Sequence, residues 1–115
     1  MERCALYLET QLLTSELRVC SNFIERGRGL LWRPPLRAET GEALLIPACD
    51  AVHMLGMAYP ICVLFLDRDG VILRIVDVLR PWRMARQAGA RFALECAVGA
   101  SWHAAVKPGD RLHWG

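Results

Sequence analysis

The segment that most constrains this chain is Ile61-Cys62-Val63-Leu64-Phe65-Leu66, six apolar residues without interruption. Asp67-Arg68-Asp69-Gly70 follows it, and then a second apolar run from Val71 to Leu79. Branched and aromatic side chains this dense favour an extended strand. In the second run Val71, Leu73 and Ile75 fall on one face, and Ile72, Arg74, Val76 and Val78 on the other. The Asp-Gly pair between the runs is turn chemistry, because Gly accepts the positive φ that a tight hairpin demands. Strand, tight turn and strand commit the middle of the chain to antiparallel β-structure.

The rest of the chain is read around that hairpin. Cys4 to Glu9 is expected as an edge strand and Leu17 to Cys20 as a second short one. Asn22 can cap a helix start, with Glu25 three residues on completing a capping box. Phe23, Ile24, Gly27, Leu30 and Leu31 then share one helical side, and Pro34-Pro35 ends the helix. Residues 34–42 read as a loop. Ala43 to Ile46, Ala51 to Met54, Arg91 to Ala97 and Arg111 to Trp114 read as further strands. Residues 82–90 are expected to be irregular or a short helix, and Ser101 to Val106 a turn of helix. Lys107-Pro108-Gly109-Asp110 is a turn.

Many short strands at close spacing imply a mainly β fold: a small antiparallel β-sandwich or barrel with one short helix near residues 22–32. The 115 residues suit a single domain over 1–115. At 54% hydrophobic and 23% charged, the chain has material for a real core. A net charge of +2 is too small to imply nucleic acid as a partner. The longest charge-free run, Ala51 to Leu66, is too short for a membrane span and holds His53, Gly56 and Pro60. The acidic second residue, Glu2, is unlike a secretory signal, so no membrane association and a cytoplasmic location are expected. Arg outnumbers Lys thirteen to one, which suggests a bacterial genome rich in G and C. The five Cys form no C-x-x-C pair, and Cys20, Cys62 and Cys96 sit among apolar residues, so buried thiols are expected.

An ordered series of blocks resembles a prokaryotic family known as domain of unknown function 192. Glu25-Arg26-Gly27-Arg28-Gly29-Leu30-Leu31-Trp32-Arg33 looks like the family's E-R-x-x-G-L-M-x-R. Glu42-Ala43-Leu44-Leu45-Ile46, Met54, Tyr59-Pro60-Ile61 and the block Val63 to Ile72 follow in order. Leu94-Glu95, Val98-Gly99 and Gly109-Asp110-Arg111-Leu112 complete the series. The resemblance implies a compact, mostly antiparallel β fold with an early short helix, and it supplies no activity. Two departures stand out. His53-Met54-Leu55-Gly56-Met57 replaces a frequent W-M-K-N-T, and Cys62 stands where many members carry Asp.

Each chemistry-bearing motif in the chain also has a plainer structural reading. An apolar strand ending in Asp67-x-Asp69-Gly70 also resembles the first motif of haloacid dehalogenase phosphatases, where one Asp attacks phosphorus and the other moves the proton. That chemistry needs a long α/β core beyond the motif, and the residues after Gly70 read as strands and turns. The hairpin turn is the plainer reading, and a small hydrolase using Asp67 and Asp69 is kept only as the alternative. Cys49, His53, Cys62, His103 and His113 follow no metal-ligand spacing, so no metal and no cofactor are implied. No acid-His-nucleophile order stands out, and no catalytic residue is assigned. Arg is better placed to act. Arg80, Arg83, Arg86 and Arg91 lie in one acid-free stretch with Trp82. Guanidinium forks grip carboxylate or phosphate, and an indole can stack on a planar group. The expected function is a non-catalytic binding or accessory domain that holds an anionic ligand or a protein partner near Arg26, Arg33 and His53.

Overall fold

The computed structural model describes residues 2–20 and 34–115. The helix expected near 22–32 lies outside the described residues, as do Arg26 and Arg33. The strands are β1 (Glu2–Leu8), β2 (Gln11–Val19), β3 (Ala43–Pro47), β4 (Ala51–His53), β5 (Ile61–Leu66), β6 (Ile72–Leu79), β7 (Met84–Arg86), β8 (Phe92–Cys96) and β9 (Leu112–Trp114). A 3-10 turn spans His103–Ala105. Seven strands form one sheet in the order β6-β5-β8-β3-β2-β1-β9, and β4 pairs with β7 in a separate ribbon. The mainly β expectation holds.

The large sheet curls until its two edges touch. Val71 bridges Arg111, the Ile72 N–H donates to the Asp110 carbonyl at 2.8 Å, and the Leu112 N–H donates to the Gly70 carbonyl at 2.9 Å. β9 also pairs with β1 through Leu6, Tyr7 and Leu8. β1 is therefore an interior strand of the sheet, not the edge expected from its weak alternation. β2 is longer than the short Leu17-based strand expected. Its extension pairs with β1 across a two-residue turn, where Glu9 takes the positive φ (55°) that such turns need. One pair, β2 with β3, is parallel. The other pairs in both sheets are antiparallel.

Strand alternation builds two apolar layers, one on each face of the sheet. Leu6, Leu17, Ala43, Leu45, Cys62, Leu64, Leu66, Leu94 and Cys96 fill the concave interior, together with Trp102 and Leu112. Leu44, Ile46, Ile61, Val63, Phe65 and Ala93 point to the opposite face. There Val52 of β4, Ala85 of β7, Met54 and Met57 cover them. Because β5 is sandwiched between both layers, all six of its residues are buried. That double burial explains why its sequence is an unbroken apolar run and not an alternating one.

The stretch 82–90, expected to be irregular or helical, contains β7. Its exposed-buried-exposed pattern puts Ala85 on the core and leaves Met84 and Arg86 outside. Three residues make a strand here only because β4 lies opposite, an arrangement no local pattern announces.

Candidate functional site

Asp67-Arg68-Asp69-Gly70 folds as the turn of the β5–β6 hairpin. The Asp67 carboxylate is spent on that turn: its Oδ1 accepts from the Asp69 N–H at 2.8 Å and from the Val71 N–H at 3.0 Å. The Gly70 N–H donates to the Asp67 carbonyl at 3.0 Å. Gly70 has φ 85°, and a Cβ there would run into the Leu112 carbonyl oxygen. The glycine is thus required twice, for its backbone conformation and for the approach of β9. The Asp69 side chain is exposed, and its carbonyl accepts from Arg111 Nε at 2.9 Å. The two carboxylates do structural and solvent-facing work at the seam where the sheet closes.

The metal-ligand candidates are scattered. Cys49 Sγ lies 3.0 Å from the Ala51 carbonyl. His113 stacks on Tyr7 with ring centroids 5.2 Å apart, and its Nε2 lies 2.6 Å from the Glu9 carbonyl. His103 Nε2 stands 3.0 Å from Asp77 Oδ1, close enough to attract but not aligned as a hydrogen bond. Cys62 faces Cys96 across β5 and β8 inside the sheet. The Cys62 thiol beside it, with burial, pushes the Cys96 thiol far above its usual range, which keeps it protonated and unreactive. Among the described residues, no three His, Cys, Asp or Glu side chains gather where they could hold a metal ion.

The β4–β7 ribbon carries a different arrangement. Its inner face, Val52 and Ala85, is tied to the core, and its outer face presents His53 opposite Met84 and Ala51 opposite Arg86. The ribbon continues past its strands. The Met54 N–H donates to the Arg83 carbonyl at 2.8 Å, and the Trp82 N–H donates to the Met54 carbonyl at 2.9 Å. These bonds hold Trp82 at φ 66°, a left-handed conformation that costs a bulky residue about 1–3 kcal/mol. Trp82 is 68% exposed, Met84 66% and Leu55 54%. All three are large apolar side chains turned to solvent on the ribbon or next to it.

The flanking charge is basic. Arg80, Arg83, Arg86 and Arg91 are all exposed. Arg86 pairs with Asp50 at 3.7 Å, and Arg74 donates to the Arg86 carbonyl at 3.2 Å. Among the described residues, Arg80, Arg83 and Arg91 make no ion pair with a carboxylate. His53, expected as a ligand residue, is exposed on this same outer face. Its association with Arg26 and Arg33 lies outside the described residues. The sequence had flagged Trp82 and its Arg neighbours together but not Met84 or Leu55, whose exposure depends on the ribbon.

One buried acid also escaped notice. Glu95 lies on β8 between Leu44 of β3 and Val63 of β5, on the covered face of the sheet, and is only 4% exposed. Burial raises its carboxyl to about 7. Among the described residues, its Oε1 and the hydroxyl of Tyr59 are both buried without a hydrogen-bond partner.

Comparison with known proteins places this architecture. A solved structure of a protein of unknown function from Novosphingobium aromaticivorans superposes with a TM-score of 0.76 at 20% identity, covering 97% of this chain and 84% of that one. A UPF0127 protein of Pyrococcus horikoshii is 34% identical over 105 residues, 86% of this chain and 87% of its own. A UPF0127 protein of Pyrococcus furiosus is 34% identical over 101 residues, 86% of each. The model of the family described as "DUF192: Uncharacterized ACR, COG1430" matches residues 6–114, and this chain belongs to that family.

Proposed function

We propose that this chain is a non-catalytic recognition domain whose outer ribbon face binds an acidic segment of a protein partner. The observation that carries the reading is Trp82, held in a costly backbone conformation and left 68% exposed beside Met84. An apolar centre of Trp82, Met84 and Leu55 rimmed by Arg80 and Arg83 has the composition of a protein interface, where Trp, Met and Arg are enriched. Side chains this exposed do not enclose a small molecule, which a ligand pocket would cover on most sides. A free small anion near His53 is therefore the weaker version of the same reading. The hydrolase alternative loses its support because Asp67 is committed to the turn. The thiols of Cys62 and Cys96, buried opposite each other without a disulfide, fit a reducing compartment, in keeping with action in the cytoplasm of a bacterium.

The test is an array of acidic peptides carrying Leu or Phe, probed with the intact chain, with Trp82→Ala and with Arg83→Glu. Selective retention that weakens by tenfold or more in both variants is expected, against no thermal shift with phosphate or citrate. Equal retention by Trp82→Ala would sink the reading. Stabilisation by the small anions, lost in His53→Ala, would replace it with the small-ligand version.

A further inference from the structure

Independently of the ribbon face, we infer that Glu95 and Tyr59 form a buried binding site for a small organic cation, an ammonium or guanidinium group. Four observations converge. Glu95 sits on β8, an interior strand of the sheet, with Leu44 and Val63 directly opposite it on the two neighbouring strands, so neither of those positions can neutralise it. The layer above it is apolar and soft, with Met54 and Met57. Among the described residues no Arg, Lys or His pairs with its carboxylate. Finally, Tyr59 is partly exposed while its hydroxyl is buried, so its ring runs inward from the surface loop into the same apolar layer. The two groups sense each other: burial first, and then the charge of Glu95, raise the Tyr59 phenol.

Buried polar atoms are nearly always paired, and an orphan keeps the full penalty of its desolvation. Here two orphans, one carboxylate oxygen and one phenol oxygen, share a single apolar layer and do not satisfy each other. A group that donates to both completes them together. An ammonium or guanidinium does so with several N–H donors, and it also supplies a positive charge that no described residue brings to the carboxylate. The tyrosine ring and the methionine side chains suit the alkyl part and the π-facing part of such a cation. An anion could accept from the phenol but would be repelled by the carboxylate, and a plain hydroxyl would leave the charge unmatched. Tyr59, between exposed Ala58 and exposed Pro60, stands where entry from solvent would occur.

The test uses the intact chain and four probes of similar size: n-butylammonium, methylguanidinium, 1-butanol and butyrate. Thermal shift and amide NMR follow each titration. Saturable binding of the two cations is expected, with shifts centred on residues 59 and 95. Glu95→Gln should weaken it at least tenfold and Tyr59→Phe by a smaller factor, the second variant serving if the first does not fold. Binding of 1-butanol as strong as that of n-butylammonium would overturn the cationic assignment. Absence of saturable binding by any probe, or binding unchanged in both variants, would show that the orphan atoms hold at most water and would overturn the site.

Discussion

Glu95 makes a sharp prediction about stability and pH. In the unfolded chain its carboxyl titrates near its ordinary value of 4.5, and in the fold burial moves it to about 7. Between those values the folded protein holds a proton that the unfolded chain has released. Stability therefore falls as pH rises through this window and levels off above the folded value. At about 1.4 kcal/mol per unit, a shift of this size corresponds to a loss of roughly 3 kcal/mol between pH 4.5 and pH 8. Glu95→Gln keeps the shape and the hydrogen-bonding capacity of the neutral acid and removes the titration. Urea unfolding of both proteins at pH 5, 6, 7 and 8 measures the effect. The difference between them cancels whatever the rest of the chain contributes to both. The variant should match the parent near pH 5 and exceed it by about 2–4 kcal/mol at pH 8. Parallel curves, or a parent that gains on the variant as pH rises, would refute the claim that burial dominates the acid.

Other substitutions probe the seam and the interior. Gly70→Ala should destabilise by about 2 kcal/mol or more, since it imposes a positive φ on Ala and a clash with the Leu112 carbonyl; chemical denaturation reads it directly. Trp102→Phe removes the indole N–H that donates to the buried Gly41 carbonyl at 3.1 Å, and should cost about 1–3 kcal/mol in the same assay. Leu94→Ala should cost about 2–5 kcal/mol, because Leu94 is fully buried and a cavity replaces it. Cys62 and Cys96 should resist an aromatic disulfide reagent in the native state and react only once urea opens the sheet, as thiol titration with and without denaturant would show.

How much of this was legible beforehand differs from element to element. The β5–β6 hairpin was read to within a residue, since dense branched residues and an Asp-Gly turn are local signals. β7 was not, because three residues with no run of their own become a strand only when β4 lies opposite. The parallel pairing of β2 with β3 is set by a long connection and leaves no mark in either strand. Glu95 shows the limit best. Alternation put Phe92, Leu94 and Cys96 on one face of β8, and Glu95 on the other would normally meet solvent. Here the ribbon and Met54–Met57 cover that second face, so an ordinary alternating acid becomes the most buried charge-bearing group of the described chain. Trp82 was singled out beside its Arg neighbours, but its exposure and its positive φ belong to the ribbon's hydrogen bonds.

The seam formed by β9 also governs how this molecule can go wrong. β9 joins β1 on one side and reaches Gly70 to Ile72 on the other, so a single three-residue strand shields two edges at once. A molecule in which β9 has not docked exposes β1 and the start of β6 together, each a row of unsatisfied backbone groups. Such rows recruit the same rows from other molecules, which is the route from a half-built sheet to aggregate. Weakening β9, as Gly70→Ala would, should therefore appear first as concentration-dependent association and only afterwards as unfolding.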